Sequence, residues 1–199
     1  MINEVISCLP EEIKDVLYNI DDIALNKITE IRIRRSKKLV LIVRNSTYFV
    51  DYNGDLYDFP SASSVKIESD LFDKAFYMLC DYSLYNNMDS LVNGYVTLNC
   101  GARVGITGTA VIKNGEICSV KDICSINIRI PNRVIGCSVP MLNFLYLNSF
   151  PSIIIAGMPN SGKTTLLRDM VSNLSGGFNN KYRKIAVVDE RNEIYGKHN

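Results

Sequence analysis

Hydrophobic positions change their period several times along the chain. Ile2, Val5, Ile6 and Leu9, then Ile13, Val16, Leu17 and Ile20, recur at intervals of three and four, the mark of one buried helical face. Pro10 divides this stretch and is expected to begin the second helix, because a first helical position needs no N–H. From Glu30 the pattern turns to alternation and to continuous β-branched runs in EIRIRRSKKLVLIVRNSTYFVDYNGDLYDF, with Asn53-Gly54 as a tight hairpin turn. Residues 70–85, DLFDKAFYMLCDYSLY, return to helical spacing through Leu71, Ala75, Met78, Leu79 and Tyr82, with Asp70 placed as the cap. Gly94 to Ile130 is β-rich around an Asn114-Gly115 turn, and Gly101, Gly105 and Gly108 suggest bulges or close backbone approach.

A connector, PNRVIGCSVP, has prolines at both ends. A helix follows in MLNFLYLNSF, and then an apolar run, Ser152–Ala156, reads as a buried strand. This places a domain boundary near residue 138. Residues 1–138 form an α+β domain, and 139–199 begin an α/β domain.

That apolar run delivers the chain to AGMPNSGKTT. Gly157, Gly162, Lys163 and Thr164 fit G-x-x-x-x-G-K-[ST], the Walker A phosphate loop. The loop spans Gly157, Met158, Pro159, Asn160, Ser161, Gly162, Lys163, Thr164 and Thr165. Its chemistry needs glycines that let backbone N–H groups turn inward, and a helix that starts at once with its dipole toward the anion. KTTLLRDMVSNL supplies the helix, with Leu166, Leu167, Met170, Val171 and Leu174 on its inner side. In that geometry Lys163 reaches the β- and γ-phosphates of ATP, and the Thr164 hydroxyl ligates Mg2+. The competing reading is a chance match in a Gly/Ser-rich turn, which the flanking strand and amphipathic helix disfavour.

KIAVVDERNEI reads as a second strand ending in Asp189, Glu190 and Arg191. It follows the loop too closely for a Walker B strand, with one helix and one turn between them. Carboxylates at the end of a neighbouring strand still lie near the ligand crevice, so Glu190 or Glu193 is a candidate for orienting water or the metal shell. The alternative is a solvated strand end carrying ordinary surface pairs.

Composition changes this picture little. A net charge of +1 over 199 residues gives no electrostatic case for nucleic acid. The N-terminus has no secretory pattern, and no window approaches a membrane-spanning apolar length, so a cytoplasmic protein is the expectation. Six cysteines show no C-x-x-C pairing and read as buried free thiols of a reducing compartment.

Taken together, ITEIRIRRSKKLVLIV, NGYVTLNCGARVGITGTAV, VKDICSINIRI, GMPNSGKTTLLRDMVSNLS and IAVVDERNEI resemble the stage III sporulation protein AA family over essentially the whole chain. That family is itself similar to the hexameric ATPases of type II and type IV secretion systems. The resemblance implies a RecA-like ATP-hydrolysing motor with an N-terminal domain. It would be peripheral to the membrane on the cytoplasmic, mother-cell side, and docked on the membrane channel proteins of a sporulation complex. It implies that DERNE, Asp189 to Glu193, takes the place of the relatives' Asp box. It also implies that Arg103 and Arg129 serve as arginine fingers on the phosphoryl group, against the plainer reading that each pairs with a carboxylate on the sheet. Arg32, Arg34 and Arg35 are expected to be a solvated strand face. Relatives continue past Asn199 with further core strands, so the ATPase domain is expected to be truncated here or completed by another chain.

Three functions compete on this reading. The first is an ATPase subunit, the second a nucleotide-binding scaffold module without catalysis in this form. The third is a small-molecule kinase, which lacks an acceptor site and lid in the residues after the loop.

Overall fold

The computed structural model describes residues 2–82, 88–130, 134–147, 152–159, 161–189 and 194. It divides into two compact units, Met1–Pro131 and Asn132–Asn199.

The first unit is an antiparallel sheet with helices on one face. Its strands are β1 (Ile28–Arg34), β2 (Val40–Val43), β3 (Ser46–Val50), β4 (Leu56–Tyr57), β5 (Tyr95–Thr97), β6 (Arg103–Lys113) and β7 (Glu116–Arg129). They lie in the order β4-β3-β2-β1-β7-β6-β5. The long return of β7 against β1 places the last strand of the unit in its interior, between β1 and β6, where Ile126 and Ile128 are fully buried. A register shift between Ile28 and Glu30 lets Ile28, Ile31 and Ile33 all point inward despite their uneven spacing. The helices α1 (Ile2–Ser7), α2 (Glu11–Tyr18) and α4 (Ser69–Leu79) bring Val5, Ile6, Ile13, Leu17, Phe72 and Ala75 onto that face. Burying each branched or aromatic side chain of this set contributes about 1.5–3 kcal/mol.

Two caps differ from expectation. Pro10 is the cap of α2 rather than its first residue: its ψ is 150°, and its carbonyl accepts from Ile13 and Lys14 N–H at 3.0 Å. The missing N–H is equally free of cost there. Glu68 precedes α4 as the capping residue without a side-chain cap bond, so Asp70 lies inside the first turn, where its charge meets the helix dipole. A short helix that the apolar period did not announce, α3 (Asp22–Leu25), is capped by Asp21, whose carboxylate accepts from Ile23 and Ala24 N–H at 3.0 and 3.2 Å.

The turns follow their sequence signals. Gly54 has φ +89° between β3 and β4, and a Cβ there would stand 2.3 Å from the backbone of Asn19. Asn114 and Gly115 both have positive φ and join β6 to β7 in two residues. The register shifts between Thr107 and Thr109, around Gly108, where a Cβ would meet the Lys121 carbonyl at 2.6 Å. Arg35 fastens the edge of this unit. It pairs with Asp73 at 2.5 and 2.9 Å, donates to the Ile123 carbonyl and lies 4.5 Å above the Phe72 ring. It is therefore a tie between sheet and helix rather than part of a solvated face. A short helix α5 (Met88–Val92) precedes β5.

The cysteines are less buried than their apolar context suggests. Among them Cys80 is buried and Cys124 exposed, and the other four are intermediate. Cys137 lies in a turn, away from any strand.

The second unit contains α6 (Val139–Leu147), α7 (Lys163–Gly176) and a 3-10 turn, Phe178–Asn180. Its core is small: Leu142, Leu145, Met170 and Leu174, with Ile155, Leu166 and Phe178 partly buried against them. Ser152–Ala156 and 184–188, expected as buried strands, run without a ladder among the described residues. Ile154 is 94% and Val188 91% exposed. β-branched composition makes a segment fit for a sheet, but ladder bonds require a neighbour at hydrogen-bonding distance. The structure is thus a mixed α/β chain with an antiparallel sheet. No helix among its described residues is long and apolar enough to cross a membrane.

Candidate phosphate-binding site

The loop after Ala156 turns into α7 through Gly162, whose φ of +87° and ψ of 12° are left-handed. A side chain would resist that conformation, and the glycine lets the helix begin directly at Lys163. Ser161 N–H donates to the Met158 carbonyl at 3.2 Å and Leu166 N–H to the Gly162 carbonyl at 2.8 Å, closing the turn. A Cβ on Gly157 would stand 2.8 Å from Ser161 Oγ, so the loop folds closely over this position and a side chain there would have to turn the serine hydroxyl aside. Lys163 Nζ donates to the carbonyls of Gly157 and Met158 at 2.9 and 2.7 Å. The ammonium thus lies over the loop, at the N-terminus of a 14-residue helix. Cationic side chain, glycine-bent backbone and helix dipole favour the same thing, an anion with several oxygens. Thr164 and Thr165 sit half-buried in the first helical turn; Met158 and Pro159 are exposed. Asn160 lies outside the described residues.

The loop borders an open cleft of about 470 Å3 in the second unit. Ser161, Gly162, Lys163 and Thr165 are its polar lining, and Val134, Cys137, Ile155 and Leu166 its apolar lining. Polar groups for phosphates together with apolar side chains suit a nucleotide, and the volume lies in the range of small-molecule sites. The residues present therefore fit a nucleoside triphosphate.

Asp169 was not singled out by the sequence reading. It is buried on α7, where its carboxylate accepts from Gly136 N–H at 2.9 Å, Ser138 N–H at 2.8 Å and Ser138 Oγ–H at 2.6 Å. Asn173 Nδ2 donates to both Asp169 and Ser138 Oγ, at 3.1 and 3.0 Å. Burial alone would raise the carboxyl's pKa, but the Ser138 and Gly136 donors outweigh it and hold Asp169 below the usual range. The inner side of α7 therefore runs Asp169, Met170, Leu174, and Leu167 is turned outward at 36% exposure, against expectation. The signal was an acidic residue among the inward positions of an amphipathic helix. The Cys137 thiol is pushed up by burial first and by the Asp169 charge second.

Of the acidic cluster, Asp189 accepts from Ile194 N–H at 2.6 Å. Glu190 and Glu193 lie outside the described residues.

Arg103 and Arg129 belong to the first unit. They stand directly opposite each other on β6 and β7, on the face away from the helices. Like charges at opposed positions cost stability in a sheet. On the far side of Arg129, β1 places Glu30 opposite it, and Glu30 is bonded to Arg32 at 2.7 Å. Arg103 lies 5.2 Å above the Tyr95 ring. Among the described residues, the sheet thus sets Arg103 and Arg129 side by side, with Glu30 and Arg32 next in the row.

The family model described as "Sporulation stage III, protein AA" matches residues 2–198. The stage III sporulation protein AA of Bacillus subtilis (strain 168) is 37% identical over 196 residues, which cover 98% of this chain and 60% of that protein. The chain thus spans about three-fifths of the length of the curated relative it matches. Among solved structures, the VirB11 ATPase from the Brucella suis type IV secretion system in complex with sulphate matches at a TM-score of 0.32 and 15% identity, covering 81% of this chain and 45% of that one. On the strength of the family match, the chain belongs to the sporulation stage III protein AA family.

Proposed function

We propose that the chain is an ATP-binding and ATP-hydrolysing motor subunit of a secretion-like channel complex that serves endospore formation. The observation that carries this reading is the Gly157–Thr165 loop, with left-handed Gly162 opening α7 and Lys163 Nζ held over the loop carbonyls. In this reading the loop N–H groups and the α7 N-terminus bind the phosphates. Lys163 exchanges its carbonyl partners for β- and γ-oxygens, and the Thr164 hydroxyl holds Mg2+, which neutralises developing charge on the phosphates. Glu190 and Glu193 orient the attacking water or the metal shell. Arg103 and Arg129 supply positive charge to the transferring group, within a subunit or across a subunit boundary. Their opposed register, which sets two guanidinium groups side by side on the sheet, supports such a role. The proposal extends to a hexamer, cytoplasmic on the mother-cell side and held at the membrane by channel proteins.

Mg-ATP turnover by the protein, rising with oligomerisation and abolished in Lys163→Ala, is the expected result. Turnover that survives that substitution overturns the reading. A second reading, a nucleotide-binding scaffold without catalysis in this form, is favoured by the exposed, unladdered segments on either side of α7. It predicts nucleotide binding with no phosphate release at any protein concentration.

A further inference from the structure

The loop accounts for the phosphates but not for the apolar lining of the cleft. Its apolar wall comes partly from residues 134–138, which precede α6 and lie far from the loop in sequence. Val134 and Cys137 face the cleft, while the Cys137 thiol leans toward the Thr165 carbonyl at 3.9 Å. This short turn has no ladder or helix of its own to fix it. Its carbonyls run into α6, Gly136 accepting from Val139 N–H at 3.1 Å and Ser138 from Leu142 N–H at 2.8 Å. What ties it to α7 is the Asp169 carboxylate, reached by two of its backbone N–H groups and by the Ser138 hydroxyl, with Asn173 Nδ2 on the same hydroxyl. Gly136, at φ +81°, allows both N–H groups to converge on one side chain. Asp169 projects from the same helix whose first turn carries Lys163 and Thr164. One helix therefore carries both the start of the phosphate loop's helical turn and the anchor of the 134–138 turn.

We infer that residues 134–138 form the wall against which the base of a nucleotide packs, and that Asp169 is the positioning residue that sets this wall relative to the phosphate loop. The inference rests on the nucleotide reading of the loop and adds the nucleoside end to it. The wall offers Val134, Cys137 and Leu166, side chains with no amide or carboxyl group, so its contribution is apolar contact with a flat ring. Asp169→Asn leaves a carboxamide whose NH2 must oppose one of the converging N–H groups, and the turn is released.

The test compares Mg-ATP with Mg-tripolyphosphate, which has the phosphates and no base, by titration calorimetry on the 199-residue chain. In Asp169→Asn the affinity for ATP is expected to fall about tenfold, a loss of about 1.4 kcal/mol, with tripolyphosphate affinity unchanged. Equal losses for both ligands, or none for ATP, overturn the inference while leaving the loop reading intact. Binding of neither ligand by the unsubstituted chain overturns the loop reading and the inference with it. A second measurement does not depend on the variant folding. Alkylation of Cys137 in the unsubstituted chain, followed by peptide mass spectrometry, should be slowed by Mg-ATP and not by Mg-tripolyphosphate. Equal protection by both, or by neither, overturns the inference.

Discussion

At the scale of single residues, the loop was legible because its requirements are local. Two glycines, a lysine and a threonine lie within eight positions, and the structure bends the backbone at Gly162 as the spacing asks. Asp169 was hidden because its partners stand 31 and 33 residues earlier, and a sequence window sees only a polar interruption of a helical face. Its depressed pKa has a consequence of definite sign. A carboxylate held lower in the folded state than in the unfolded chain contributes stability above the ordinary Asp range, and that contribution is lost as pH falls through the folded value. The second unit should therefore weaken with acid below about pH 4. Asp169→Asn should flatten that part of the pH profile in chemical denaturation. Glycines differ in what a Cβ would meet. At Gly157 the obstacle is Ser161 Oγ, which can rotate away, but at Gly54 it is the backbone of Asn19, and φ is +89° as well. Gly54→Ala should cost the first unit roughly 3 kcal/mol in urea unfolding, whereas Gly157→Ala should leave folding nearly unchanged.

At the scale of elements, alternation located the strands of the first unit, and the Asn53-Gly54 and Asn114-Gly115 turns located their reversals. Pairing order was not legible, because the approach of β7 to β1 joins segments about a hundred residues apart. That pairing decides which side chains share a face. It sets Arg103 against Arg129, and it places Glu30 and Arg32 next in the row. Arg103→Glu converts a facing like-charge pair into an opposite-charge pair and gives up the contact with Tyr95. Cross-strand charge pairs are worth roughly 0.2–1 kcal/mol each way and an exposed cation–π contact about 0.5–1. The stability of the first unit should accordingly change by no more than about 1 kcal/mol. If the arginine pair serves the phosphoryl group, ATP turnover by the assembled protein should fall by two orders of magnitude or more. A large loss of stability would instead assign the pair to folding. The segments 152–156 and 184–188 mark the limit of element-level reading, since their composition is that of strands and their exposure is not.

At the scale of the whole molecule, the two units have unequal cores, and this governs how the chain should unfold. The first unit buries residues from all but its shortest strand and from four helices around Ile31, Leu41, Ile126 and Phe72. The second relies on Leu142, Leu145, Met170 and Leu174, with Ile154 and Val188 in solvent. Two domains with separate cores need not unfold in one step, and the smaller core should give way at lower denaturant. The chain has no tryptophan, so a single substitution can report on one unit alone. Phe178, stacked on Tyr146 at 5.6 Å within the second unit, is the suitable position. Phe178→Trp fluorescence should show a transition below the one seen by circular dichroism of the sheet. A ligand that binds only folded protein stabilises the unit that holds its site, by about 2.7 kcal/mol at a hundred times its Kd. Mg-ATP should thus move the fluorescence transition toward the sheet transition and leave the latter in place. Movement of both together would mean that nucleotide couples the units into one cooperative body, the behaviour that the proposed motor reading requires.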